Sequence, residues 1–181
     1  MNKKQLKNTE WSILFCTIIL IAIGIFALYS ASISSELEDF KKQIIWVIIS
    51  IPILIITFIV DYRTMAKISV GFYILSTILL IAVLLTSAIN GATSWFSIGP
   101  ISIQPAEFAK IAVVLFLAYI LSKMSRNEIN RPLKLAMILG IVLVPVLLIV
   151  LQPDYGTAMA YVFAVAIMLY VAGIKKRYII S

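Results

Sequence analysis

Six stretches of this 181-residue chain, near 11–31, 44–60, 68–88, 105–122, 134–151 and 156–173, are almost wholly apolar. A bilayer-spanning helix needs about 20 such residues, within a range of about 17–25. All six qualify, the second and fourth at the short end. Lipid offers exposed N–H and C=O groups no partner, so the spans must be helices that satisfy their own backbone. Pro52 and Pro145 fall inside spans two and five and read as tolerated kinks. Apolar and aromatic residues make up 62% of the chain and charged residues 13%, against about 45–50% and about 25% in ordinary soluble domains. A globule of this size could not hide so much apolar surface. The expected fold is all-α: a polytopic integral membrane helical bundle of six transmembrane helices, forming a single transmembrane domain over 1–181.

The basic residues set the orientation. With the N-terminus in the cytoplasm, the inner side holds Lys3, Lys4, Lys7, Arg63, Lys67, Lys123, Arg126, Arg131, Lys134, Lys175, Lys176 and Arg177. The outer side holds only Lys41 and Lys42, and Lys110 lies within a span. This asymmetry places both termini in the cytoplasm. It also explains the net charge of +7 without a nucleic-acid partner, because the basic residues sit in clusters between spans rather than along a phosphate-tracking stripe. The first span follows three lysines, as in a signal peptide, but exceeds a typical signal core of about 7–15 residues and reads as an anchor.

The residue inventory excludes chemistry. There is no histidine and a single cysteine, Cys16. Ser-His-Asp triads, Cys-His dyads, His/Cys zinc sites, histidine-ligated haem and internal disulfides are therefore all outside this chain's reach. Cys16 lies in an apolar run and is expected to be a small buried residue. No metal site and no resident cofactor is evident.

A charge inside a span costs at least about 2.5–3.5 kcal/mol on insertion scales, so each one needs a reason. Span four opens Gln104-Pro105-Ala106-Glu107-Phe108-Ala109-Lys110. Proline suits the first helical position, Glu107 falls near the third, where a carboxylate meets the positive helix end, and Lys110 projects from the same face three residues on. The pair is either an internal ion pair that fixes packing or a polar site where Lys110 and the helix-end N–H groups attract an anion. A second Gln-Pro-acid start occurs at Gln152-Pro153-Asp154-Tyr155-Gly156-Thr157. Asp154 is either a cap or part of the same site. Gly156 and Thr157 are small enough for close helix contact or close approach of a ligand. Both helix starts point outward and could hold an anion such as pyrophosphate. The uncharged loop before span four has turn signals at Asn90-Gly91 and Gly99-Pro100. Its Trp95 and Phe96 are either interfacial anchors or the lining of a lipid or sugar groove.

Trp95-Phe96-x-Ile98-Gly99, Gln104-Pro105-Ala106-Glu107-Phe108-x-Lys110 and Gln152-Pro153-Asp154-Tyr155-Gly156-Thr157-Ala158 resemble, in order and spacing, motifs of the SEDS family of rod-shape, cell-division and sporulation membrane proteins (RodA, FtsW and SpoVE). Tyr29-Ser30-Ala31-Ser32 and Asp61-Tyr62-Arg63 are weaker matches, and the rod-shape branch is the most similar. The resemblance implies a multi-pass protein of the bacterial inner (plasma) membrane that polymerises lipid II into glycan strands, for elongation or division, and releases undecaprenyl-pyrophosphate. It implies a class B penicillin-binding protein as partner, beside membrane lipids. It places Trp95, Gln104, Pro105, Glu107, Lys110, Gln152, Pro153, Asp154 and Gly156 on motif positions, with Ala106 where serine is common. A divalent cation could accompany the substrate's pyrophosphate. The catalytic residue is not assigned: the aspartate proposed for the family lies in an outer loop beyond the sixth span. The chain therefore resembles the N-terminal part of such a protein and is expected to be inactive alone. A flippase for the lipid-linked precursor, or a non-catalytic scaffold for a penicillin-binding protein, are the alternatives.

Overall fold

The computed structural model describes residues 10–33, 37–86, 94–98 and 101–175, with backbone only for residues 97, 98 and 101. Lys3, Lys4, Lys7, Glu36, the Asn90-Gly91 and Gly99-Pro100 turn signals, Lys176 and Arg177 lie outside the described residues. Two compact units, Met1–Asp61 and Tyr62–Ser181, make up the chain.

The first unit holds α1 (Trp11–Ala31) and α2 (Glu38–Ile59). They meet at an edge-on contact between Tyr29 and Phe40, ring centres 5.5 Å apart. Neither helix has a buried residue. The expectation for Cys16 is corrected accordingly: its thiol is exposed, because α1 has one neighbouring helix in its unit and Cys16 is not on the face turned toward it.

The second unit holds α3 (Tyr62–Val83), β1 (Phe96–Ile98), β2 (Ile101–Ile103), α4 (Pro105–Ser122), the single turn α5 (Arg126–Ile129), α6 (Pro132–Val150) and α7 (Tyr155–Ala172). All six long helices are apolar enough to cross a membrane. Two begin earlier than the hydropathy suggests. Helix α2 starts at Glu38 rather than 44, because Glu38 and Asp39 suit a helix N-terminus and both reach Lys42. Helix α3 runs from Tyr62 rather than 68, its polar first turns carrying Arg63 and Lys67. Hydropathy marks what lipid can cover, whereas the helix ends where backbone pairing ends.

The uncharged outer loop is partly a ribbon. Antiparallel strands pair Phe96 with Ile103, Ser97 with Ser102 and Ile98 with Ile101. The alternation Phe-Ser-Ile and Ile-Ser-Ile has the period of two that a strand needs, in pieces too short to stand out from sequence.

The core lies between α3 and α4. Ser69, Ser76, Leu80 and Val83 are the buried residues of α3, at spacings of one or two turns. Ala106, Ala109, Val113, Leu117 and Leu121 form the facing stripe of α4. Small residues on both sides let backbones approach closely, which is how helices associate where lipid removes the hydrophobic drive. Tyr161, Val165 and Leu169 of α7 and Ile138, Val142 and Ile149 of α6 complete the cluster.

Pro145 creates a local problem that Tyr73 solves. Lacking an N–H, it leaves the Ile141 carbonyl, four residues back, without its helical donor. The Tyr73 hydroxyl of α3 donates to that carbonyl at 2.8 Å. At the basic end, α7 stops at Gly173 with φ +91°, and the Ile174 N–H reaches back to the Leu169 carbonyl at 3.1 Å. Asn130 locks this stop to α5: its amide donates to the Gly173 carbonyl at 3.1 Å and its oxygen accepts from the Lys175 N–H at 2.8 Å. A Cβ on Gly173 would lie 3.0 Å from Arg126 Nε.

Two outcomes follow for thermal unfolding in detergent. Tyr73→Phe costs about 1 kcal/mol, the net worth of one hydrogen bond, and costs less in a Pro145→Ala background, where the new N–H takes the Ile141 carbonyl; equal costs in both backgrounds exclude this pairing. Gly173→Ala costs about 1–2 kcal/mol for the left-handed backbone alone, and a neutral result excludes the strained stop.

Candidate functional site

The candidate residues converge at the end of the second unit opposite its basic end, where α4 and α7 both start. Gln104 is the N-cap residue of α4 and Pro105 its first helical residue, as expected, but no side chain caps that end. Asp154 is the N-cap of α7: its Oδ1 accepts from the Thr157 N–H at 3.1 Å. Its Oδ2 accepts from Gln104 Nε2 at 2.7 Å. The two Gln-Pro-acid motifs are thus joined to each other, the amide of the first to the acid of the second, fifty residues apart in sequence. This corrects one expectation. The start of α7 is not an open anion site, because the chain's own carboxylate occupies it. The start of α4 remains uncapped.

Glu107 and Lys110 form the expected ion pair, Nζ to Oε1 at 2.8 Å. Neither is deeply buried, with side-chain exposures of 56% for Glu107 and 32% for Lys110. The expectation of an internal ion pair is corrected: the pair lies on the outside of α4, within its first two turns. Nor does Glu107 cap the helix, since Lys110 holds its carboxylate. Surface exposure leaves such a pair worth little to stability, which frees it for another role.

Gln152 has a different position from the one its motif suggests. It is fully buried. Helix α3 ends by tightening into three-residue turns, in which Leu84, Leu85 and Thr86 N–H groups take the Ile81, Ala82 and Val83 carbonyls. That leaves the Leu80 carbonyl, and Gln152 Nε2 donates to it at 3.1 Å. Buried Ser94 donates from Oγ to the Gln152 carbonyl at 3.2 Å. Gln152 therefore pins the α6–α7 turn to the end of α3 and to the loop before β1. Its Oε1 is buried with no hydrogen-bond partner among the described residues. It is a structural clamp, not a surface that meets substrate.

Tyr161 escaped the sequence reading. It lies two turns into α7, is 1% exposed, and donates its hydroxyl to the Ala106 carbonyl at 2.6 Å. It thereby holds the first turn of α4, which carries Glu107. A tyrosine in an apolar span gives no sequence signal, because its partner is a backbone carbonyl of another helix. Trp95 is 39% exposed next to β1, a position that suits an anchor and a groove wall equally. Pro153 and Gly156 are exposed and Thr157 half-buried. A Cβ on Gly156 would meet nothing within 4 Å, so close helix packing is not what that glycine serves. Among the described residues no group of three or more His, Cys, Asp or Glu could hold a metal.

Gln152 has a measurable signature. Gln152→Leu loses a buried hydrogen bond and strands a carbonyl, at about 1–3 kcal/mol. Gln152→Glu costs more at neutral pH, since a carboxylate would face the Leu80 carbonyl, and recovers toward the leucine variant as the pH falls and that carboxylate takes a proton. Melting curves of the two variants that coincide at every pH exclude the clamp.

The chain's relatives share this architecture. Residues 10–181 match the FtsW/RodA/SpoVE family, described as cell cycle proteins. The chain is 32% identical to the peptidoglycan glycosyltransferase RodA of Treponema pallidum (strain Nichols) over 190 aligned residues, covering 100% of this chain and 42% of that protein. It is 33% identical to the stage V sporulation protein E of Bacillus subtilis (strain 168), covering 88% of this chain and 46% of that one. The crystal structure of the rod shape determining protein RodA of Thermus thermophilus superposes with a TM-score of 0.84 at 29% identity, over 96% of this chain and 56% of that chain. A structure described as coordinating polymerization and crosslinking in a peptidoglycan synthase complex superposes with a TM-score of 0.81 at 27% identity, over 92% of this chain and 48% of that chain. The chain spans about half the length of the curated relatives it matches. Six apolar helices, both Gln-Pro-acid motifs and a match over nearly every residue lead to one conclusion: this polytopic membrane protein belongs to the FtsW/RodA/SpoVE family.

Proposed function

We propose that this chain supplies the substrate-holding part of a peptidoglycan glycosyltransferase that extends glycan strands from lipid II at the outer face of the bacterial cell membrane. The observation that carries the reading is the exposed Glu107–Lys110 pair at the uncapped start of α4. In such a transfer the bond between a sugar carbon and the pyrophosphate oxygen breaks, an acceptor hydroxyl oxygen bonds to that carbon, its proton passes to a base, and undecaprenyl-pyrophosphate leaves with the bonding electrons. Charge therefore grows on the pyrophosphate, and a cation placed beside it lowers the barrier. The Lys110 ammonium is such a cation, oriented by Glu107. The positive end of the α4 dipole adds to this charge. A divalent cation carried in with the pyrophosphate would add to this charge.

We assign no base among the described residues of this end. Asp154 has both oxygens occupied by Thr157 and Gln104, and Glu107 is held by Lys110. The rigid joint between the starts of α4 and α7 instead fixes the floor on which Lys110 stands. The kinship with the peptidoglycan synthase complex supports a class B penicillin-binding protein as partner. Transport of the precursor is the weaker reading, because it calls for polar groups near the middle of the spans, whereas Glu107 and Lys110 belong to the first two turns of α4.

Binding of undecaprenyl-pyrophosphate to the chain in nanodiscs tests this. Lys110→Gln weakens binding about tenfold, the worth of one charge-assisted contact of about 1.5 kcal/mol; Lys110→Arg keeps most of the affinity, and Lys67→Gln, at the basic end, leaves it unchanged. Equal affinity of Lys110→Gln and the unaltered chain overturns the assignment.

A further inference from the structure

Two bonds join the start of α4 to α7. Gln104 Nε2 donates to Asp154 Oδ2 at 2.7 Å, and further along α7 the Tyr161 hydroxyl donates to the Ala106 carbonyl at 2.6 Å. From Asp154 to Tyr161 is about two helical turns, so both stand on one face of α7, about 10 Å apart along its axis. Ala158, between them, is buried too, and its small side chain lets α4 come close. With the first bond alone, the start of α4 could pivot about Asp154. The second, at a different height on α7, stops that pivot.

The second bond falls on one particular peptide unit. The Ala106 carbonyl belongs to the peptide that supplies the Glu107 N–H, which donates to the Gln104 carbonyl at 3.2 Å. By the four-residue pairing of an α-helix, the same carbonyl takes the N–H of Lys110. The peptide that Tyr161 grips is therefore where Glu107 begins and where the backbone of Lys110 is fastened. A carbonyl oxygen has two lone pairs and serves both donors. Tyr161 is 1% exposed and Ala106 fully buried, so water does not compete for this bond. The ion pair above it stands in the open, with Nζ 2.8 Å from Oε1. Attraction between exposed charges holds long side chains only weakly, so the backbone beneath sets where this pair stands.

We propose that Tyr161 is a positioning residue: by fastening the Ala106–Glu107 peptide from α7, its hydroxyl sets where the Glu107–Lys110 pair stands, and so where the Lys110 ammonium meets a pyrophosphate. The second half of this statement rests on the substrate-holding role proposed for Lys110. Tyr161 is buried and acts through the peptide, not on the substrate itself. Tyr161→Phe isolates the effect. The ring still fills its place, and the Ala106 carbonyl keeps the Lys110 N–H, so the tether is lost while the helix and its packing remain.

Two measurements on the protein in nanodiscs test this. In the first, lysines carry isotope-labelled methyl groups, and the Lys110 NMR signal is identified by its loss in Lys110→Arg. Glu107→Gln, which removes the ion pair, moves that signal. Tyr161→Phe moves it in the same direction. Tyr73→Phe, which removes a bond of the same kind between α3 and α6, leaves it in place. No ligand enters this measurement. In the second, binding of undecaprenyl-pyrophosphate to unmethylated protein weakens about threefold in Tyr161→Phe, a loss in the range of coupled neighbours, and is unchanged in Tyr73→Phe. In a Lys110→Gln background, Tyr161→Phe has no further effect. A Lys110 signal that Tyr161→Phe leaves unmoved overturns the proposal. So does a loss of affinity that persists in the Lys110→Gln background, since Tyr161 would then act by another route, and so does full affinity of Tyr161→Phe where Lys110→Gln binds weakly. If Lys110→Gln binds like the unaltered chain while Tyr161→Phe still moves the signal, the substrate-holding role of Lys110 falls and the positioning of the pair by Tyr161 stands.

Discussion

Every backbone carbonyl in a membrane must find a donor, and in this protein that demand governs the second unit more than apolar contact does. Among the described residues, three carbonyls inside the long helices receive side-chain donors from other helices or their connections. Pro145 frees the Ile141 carbonyl and Tyr73 takes it; the four-residue pairing of α3 stops before the Leu80 carbonyl and Gln152 takes it; the Ala106 carbonyl, inside α4 and so within reach of its own helical donor, gains the Tyr161 hydroxyl as a second one. In water each could be left to solvent. In a bilayer an unmet carbonyl costs several kcal/mol, so these pairings fix how α3, α4, α6 and α7 lie against one another.

The candidate site is a consequence of that framework. Its motifs mix residues that hold the scaffold with residues that face outward. Gln104, Gln152 and Asp154 spend their hydrogen-bonding capacity on the protein itself. Among the described residues, the side chains of Lys110 and Glu107 bond only to each other, at the surface of the same assembly. The charged pair therefore stands exposed on a start of α4 that Gln104 ties to the start of α7. The two ends of the unit differ further: the outer end carries motif residues in a polar joint, while the basic end carries the Asn130 lock between α5 and the stop of α7.

Spacing made the helix starts legible, because Gln-Pro-acid at the head of an apolar run has a local meaning: proline fits the first turn and an acid suits the positive end. The two copies differ in register. Asp154 directly follows Pro153 and is the N-cap of α7, whereas Ala106 separates Pro105 from Glu107, which falls at the third helical position of α4 and pairs with Lys110. Spacing did not show that Gln104 reaches Asp154 across the gap between α4 and α7. The ion pair itself was readable, since residues three apart share a helix face. Its exposure was not, because no periodicity says whether a neighbouring helix covers that face. Cys16 and Gly156 mark the same limit from the other side: an apolar run and a small residue each suggest packing, and neither has a helix against it.

Composition, hydropathy and the distribution of lysine and arginine by themselves determined a six-span helical membrane protein, because the bilayer sets the length, the secondary structure and the charge asymmetry with no reference to neighbours. The motifs alone were enough to point to the family. Only the tertiary structure decided which polar residues are clamps and which are free. Tyr73, Tyr161 and Gln152 act on carbonyls between 55 and 72 residues away, and a partner that distant leaves no periodic trace in a sequence.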